Sequence, residues 1–92
     1  MTDFLNATCQ ISPRAATSRV GEEMVLLHLD TGTYFGLDEV GTMIWGGLQE
    51  GQSPREICQR VAASYGEPPE RVEEDVHAFL AKLSEHGLLD CA

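Results

Sequence analysis

The clearest pattern along the chain is a pair of short apolar runs meeting at a turn. Met24-Val25-Leu26-Leu27-His28-Leu29 is apolar and partly β-branched. Asp30-Thr31-Gly32 comes next, with Gly32 where a positive φ would be needed, and Thr33-Tyr34-Phe35-Gly36-Leu37 returns. This spacing predicts a β-hairpin. A lone hairpin is marginal in water, so its apolar face must be covered by elements further along the chain. Upstream, residues 1–10 have no period and are expected to form a loose, flexible N-terminal arm. Ile11 to Arg19 is polar, with Pro13 near its start, and fits a short edge strand.

Beyond the hairpin the period changes from two to about 3.6. Asp38 can cap a short helix carrying Val40, Met43, Ile44 and Leu48, weakened by Gly41, Gly46 and Gly47. Ser53-Pro54-Arg55-Glu56 is a capping box with Pro at the first helical position. It opens a second helix, with Ile57, Val61 and Tyr65 on one side and Gly66 as its stop. After Pro68-Pro69, Val72, Val76, Phe79, Leu80 and Leu83 form the apolar stripe of the longest helix. Gly87 and Leu88 are set to close it in a Schellman motif. The expectation is one α+β domain, a hairpin-based sheet followed by three helices.

Composition narrows the function classes. The 92 residues leave room for a single core. Fifteen acids against six bases give a net charge of −9, and the bases are scattered singly. Nucleic acids and anionic membranes are bound through clustered Lys and Arg, so neither is an expected partner. No run approaches the roughly 18 apolar residues of a membrane span, and no signal-peptide pattern opens the chain. Cys9, Cys58 and Cys91 are odd in number and lack CxxC spacing, which argues against a disulfide framework or a cysteine-rich zinc site. A Cys9–Cys91 bridge is conceivable, but nothing in the sequence calls for it, and a reduced cytoplasmic protein fits best.

No catalytic constellation emerges. His28, His77 and His86 cannot share a face as metal ligands, and Glu73-Glu74-Asp75 diverge around their helix. Nor is there a phosphate-binding glycine motif. No catalytic residue, metal or cofactor is expected. One flank of the third helix is more informative, because it carries Phe79 beside Asp75, Lys82 and His86. A groove gripping an amphipathic peptide would have such a wall. The strand Thr33, Tyr34, Phe35, Gly36, Leu37 supplies the other wall, and no Lys or Pro guards its outer edge. A guest peptide could add there as a further strand.

The same residues carry a family resemblance. The stretch from Gly21 to Gly41, followed by Ile44-Trp45, resembles the PqqD-like family. So do Ile57, Glu74-Asp75-Val76, Phe79-Leu80 and Gly87-Leu88-Leu89. The resemblance covers about residues 11–90, taken as a leader-peptide-binding domain. It implies a winged helix-turn-helix-like fold, with a three-stranded antiparallel sheet and three helices. It also implies the function of a RiPP recognition element, which binds the leader of a ribosomally made precursor peptide between the third strand and the third helix. The pattern is most similar to the stand-alone proteins of lasso-peptide biosynthesis, whose partners are a leader peptidase and a cyclase. The quinone-cofactor pathway member, a peptide chaperone for a radical enzyme, usually has Pro-Glu-Gly at the turn, where this chain has Asp30-Thr31-Gly32. The alternatives are that quinone-pathway role, a nucleic-acid-binding winged helix, and a structural adaptor between enzymes.

Overall fold

A computed structural model describes residues 4–91. In chain order the elements are β1 (Cys9–Ile11), β2 (Ala15–Val20), β3 (Glu23–His28), β4 (Tyr34–Leu37), α1 (Glu39–Gln49), α2 (Pro54–Tyr65), α3 (Pro69–Glu85) and β5 (Leu89–Cys91). The sheet β2-β3-β4 is antiparallel throughout, and a separate two-stranded ladder joins β1 to β5. The α+β architecture, three strands and then three helices, is the one expected.

The hairpin closes by a glycine bulge. Gly32 has φ 71°, and its N–H donates to the His28 carbonyl, while the His28 N–H donates to the Thr33 carbonyl. Two residues thus oppose one, the arrangement that requires glycine at the first bulge position. It also removes Thr33 from the strand: β4 begins at Tyr34.

Local signals set each helix. The Asp38 carboxylate accepts from the Gly41 N–H at 2.7 Å. Ser53 and Glu56 form the reciprocal capping box, and their hydrogen bonds hold the Glu56 carboxyl below its ordinary value. Gly66 and Gly87 take left-handed conformations. Leu88 N–H donates to the Leu83 carbonyl and Gly87 N–H to that of Ser84, the Schellman pair.

The core forms where the inner sheet face meets the helices. Trp45, Leu26, Ile44, Val76, Leu80, Leu88 and Leu89 are buried within it. Trp45 Nε1–H donates to Thr17 Oγ1, so the indole keeps a polar partner at the sheet. Gly47 is fixed by packing, since a Cβ there would stand 2.8 Å from Ile57.

Two expectations require correction at the N-terminus. Over its described part, the segment expected to be loose is packed: Phe4 is buried and meets His77 of α3 edge-on, with ring centroids 5.1 Å apart. Asn6 accepts a hydrogen bond from Arg55. Residues 1–3 of the expected arm lie outside the described residues. The second correction concerns cysteine. Cys9 and Cys91 face each other in the β1–β5 register and form a disulfide, while Cys58 is free and buried. The sequence hid this because β1 and β5 have only three residues each, too few to show a period.

Candidate functional site: a groove between an open strand edge and the third helix

β4 pairs with β3 on one side only. In an antiparallel ladder, residues alternately turn their backbone groups toward and away from a given neighbour. The His28–Thr33 hydrogen bond and the register Leu26↔Phe35, Met24↔Leu37 set the phase. Phe35 and Leu37 spend their backbone groups on β3, so Tyr34 and Gly36 turn theirs outward. The backbone of Phe35 is therefore committed to β3, although the residue lies within the strand expected to receive a guest.

α3 lies across from this edge. A hollow of about 250 Å³ separates them, lined by Tyr34, Phe35, Gly36, Leu37, Phe79, Lys82, Leu83, His86 and Leu88. The Phe35 and His86 rings meet with centroids 4.7 Å apart and close its floor toward the C-terminal end of α3. Seven of the nine residues chosen from sequence line this hollow: Tyr34, Phe35, Gly36, Leu37, Phe79, Lys82 and His86. Thr33 belongs to the turn and does not. Leu83 and Leu88 were missed as groove residues because stripe position alone marks them as core.

Asp75 is the other departure, one helical turn from Phe79 and outside the strand-facing hollow. With Asp38, Val40, Gly41, Ile44 and Phe79 it lines a second hollow of about 240 Å³ at the start of α1. Gly41 makes room there, since a Cβ would meet the Phe79 ring at 3.4 Å. Phe79 lines both hollows, which therefore adjoin at its ring on α3. The groove is charged unevenly: Lys82 stands at one end, and Asp38 and Asp75 at the other.

Among the described residues no cluster of His, Cys, Asp or Glu could hold a metal ion, and no helix is long and apolar enough to cross a membrane. An open strand edge that faces a helix across a hollow, on a three-stranded sheet followed by three helices, places the fold in the winged-helix class. The comparisons with known proteins give the family. The model of Coenzyme PQQ synthesis protein D (PqqD) matches residues 23–89, and the chain belongs to that family. No curated protein matches. Two solved structures do, both with a TM-score of 0.84. One, "TbiB1 in Complex with the TbiA(beta) Leader Peptide", is 44% identical, and the match covers 88% of this chain and 94% of that one. The other, "Lasso peptide synthetase B1 complexed with the leader peptide", is 25% identical, and the match covers 90% and 98%.

Proposed function

We propose that this protein binds the leader region of a lasso-peptide precursor by strand addition to β4, and delivers it to a leader peptidase and a cyclase. The observation that carries the reading is the outward-facing backbone of Tyr34 and Gly36 opposite α3, across a groove lined by Phe35, Phe79, Leu83 and Leu88 together with Lys82 and His86. The two structural neighbours, each a leader-peptide complex, support the same ligand class. An added strand would direct every second side chain toward Phe79, Lys82, Leu83 and His86. Two or three apolar anchors at about 1.5–3 kcal/mol each, with a few backbone hydrogen bonds near 1 kcal/mol, work against ordering costs of about 4–15 kcal/mol. Micromolar to nanomolar affinity is the expected range.

In this reading the chain itself is non-catalytic, uses no cofactor, and acts in the cytoplasm through residues 11–90. A cytoplasmic setting tends to keep thiols reduced, and there the β1–β5 ladder would still hold Cys9 opposite Cys91. A second reading, peptide chaperoning in the quinone-cofactor pathway, draws on the family description. The turn Asp30-Thr31-Gly32 favours the lasso-peptide role. Nucleic-acid binding is disfavoured by the single, scattered bases.

The test is fluorescence anisotropy with a labelled TbiA(beta) leader peptide at about 50 and 200 mM salt. The reading expects saturable binding that survives the higher salt. No binding at up to about 100 µM would contradict it, and a collapse with salt would point to an electrostatic surface instead.

A further inference from the structure

One residue of the open edge has no local reason to be glycine. Gly36 lies inside β4 opposite Val25, and it is not among the glycines that take a positive φ. Packing does not require it either. A Cβ at position 36 would meet nothing within 4 Å, whereas at Gly41 and Gly47 it would crowd Phe79 and Ile57. Glycine inside a strand costs backbone entropy and forgoes cross-strand packing, and it commonly marks a place where another group approaches closely.

The relevant face of the sheet is the one turned away from the helices. Side chains alternate along a strand. Leu37 is buried in the core and Phe35 packs against it, so Tyr34 and Gly36 belong to the outer face. There the register sets Ala16, Leu27 and Tyr34 in one cross-strand row, and Ser18, Val25 and Gly36 in the next. None of these side chains is charged. Tyr34 is 70% exposed, while Val25 and Leu27 are half-buried. The second row therefore ends at the open edge in a notch, with Val25 at its base and Tyr34 as a wall.

We propose that this notch is a subsite for one large apolar side chain of the peptide that adds to β4, on the face of the sheet opposite α3. The proposal rests on the leader-binding reading and deepens it. Continuity with the β4 edge sets the occupant, since a fourth strand there brings a side chain directly beside Gly36. Phase sets which one. Gly36 turns its backbone outward, so in an antiparallel ladder it forms a hydrogen-bonded pair with the guest residue opposite, whose side chain shares its face. Directly opposed Cβ positions in such a pair stand about 5.5 Å apart. With no side chain on Gly36, the guest side chain can fold over the glycine onto Val25 and against the Tyr34 ring. A bulky residue at position 36 would prop it off the sheet. The guest residues on either side point into the α3 groove, so the outer anchor sits between two groove-facing positions. The uncharged rows set its chemistry: an aromatic or long aliphatic side chain gains contact there, and a charged one finds no partner.

A cycle between protein and peptide tests this. The TbiA(beta) leader peptide, with each residue in turn replaced by Ala, is titrated into the parent, Gly36→Phe and Tyr34→Ala proteins. Gly36→Phe keeps the outward N–H of β4 and fills the notch, and Tyr34→Ala removes its wall. In the parent, replacing one large residue between two groove-facing positions should weaken binding about 5- to 20-fold. In Gly36→Phe the same replacement should cost less than about twofold, and in Tyr34→Ala the cost should lie between. Groove-facing positions should keep their full cost in all three proteins, which separates a filled notch from general weakening. Circular dichroism checks folding; if Gly36→Phe is unfolded, the Tyr34→Ala comparison decides. A leader whose sensitive positions all face the groove would overturn the subsite while leaving strand addition at β4 intact. So would an outer residue that costs the same in the parent and the folded variants. Failure of the parent to bind the unaltered peptide would overturn the leader-binding reading, and this extension with it.

Discussion

The three-stranded sheet has two outer edges, and they are built differently. The β2 edge comes after Pro13 and carries Arg19, which by register with Met24 lies on the core-side face of the sheet. Proline and an inward-side charge are both devices that discourage edge-to-edge pairing. Val20 at the end of β2 is 63% exposed, and no β2 residue lines either of the two hollows along α3. The β4 edge has neither device, and α3 faces it across an apolar floor. An open edge alone offers backbone hydrogen bonds that water already satisfies. In the proposed reading, the opposing helix supplies the side-chain pockets that would make pairing there specific and favourable.

The largest expected effect separates scaffold from site. Opening the Cys9–Cys91 disulfide, by reductant or by paired Cys→Ser substitution, releases a constraint on nearly the whole chain. Chain-entropy arguments place the loss near about 4–5 kcal/mol. Thermal unfolding should show the drop, whereas leader affinity at about 25 °C should persist in the fraction that stays folded. Lost affinity in a folded, reduced protein would mean that the clasp helps to shape the groove.

Next comes a paired edge test. Gly36→Pro removes an outward N–H from β4 and should weaken TbiA(beta) leader binding at least tenfold with the fold retained. Arg19→Pro removes an outward N–H from β2 and should leave affinity within about twofold. Equal losses at the two edges would erase the contrast between them. Smaller effects sharpen it. Ser53→Ala breaks the capping box of α2, remote from β4, and should cost about 1 kcal/mol of stability without changing affinity. Acid should act on the same box: the Glu56 value is lowered on folding, so its contribution holds above about 4.5 and fades as pH falls through the folded value. Lys82→Glu, at the exposed rim, should reduce affinity only about two- to fivefold.

Much of this was legible in the sequence because the signals were local. Asp38, the Ser53–Glu56 box, Gly32, Gly66 and Gly87 each fix a backbone feature through neighbours a few residues away, and the structure shows each of them. The groove residues on α3 followed from helical angle. What escaped was non-local or fine-grained. The β1–β5 ladder joins opposite ends of the chain through strands too short to show a pattern. Thr33 was lost to a bulge that shifts the strand start by one residue. The separation of Asp75 from the strand-facing hollow depends on how α1 docks at Gly41, which no period along α3 records.

Backbone hydrogen exchange, measured residue by residue by NMR with and without the TbiA(beta) leader peptide, tests the central claim most directly. If the peptide adds as a strand to β4, the amides of Tyr34 and Gly36 should become protected on binding, while those of Thr17 and Arg19 on the β2 edge stay as exchangeable as before. Binding that leaves Tyr34 and Gly36 unprotected, or that protects Thr17 and Arg19 instead, would contradict it.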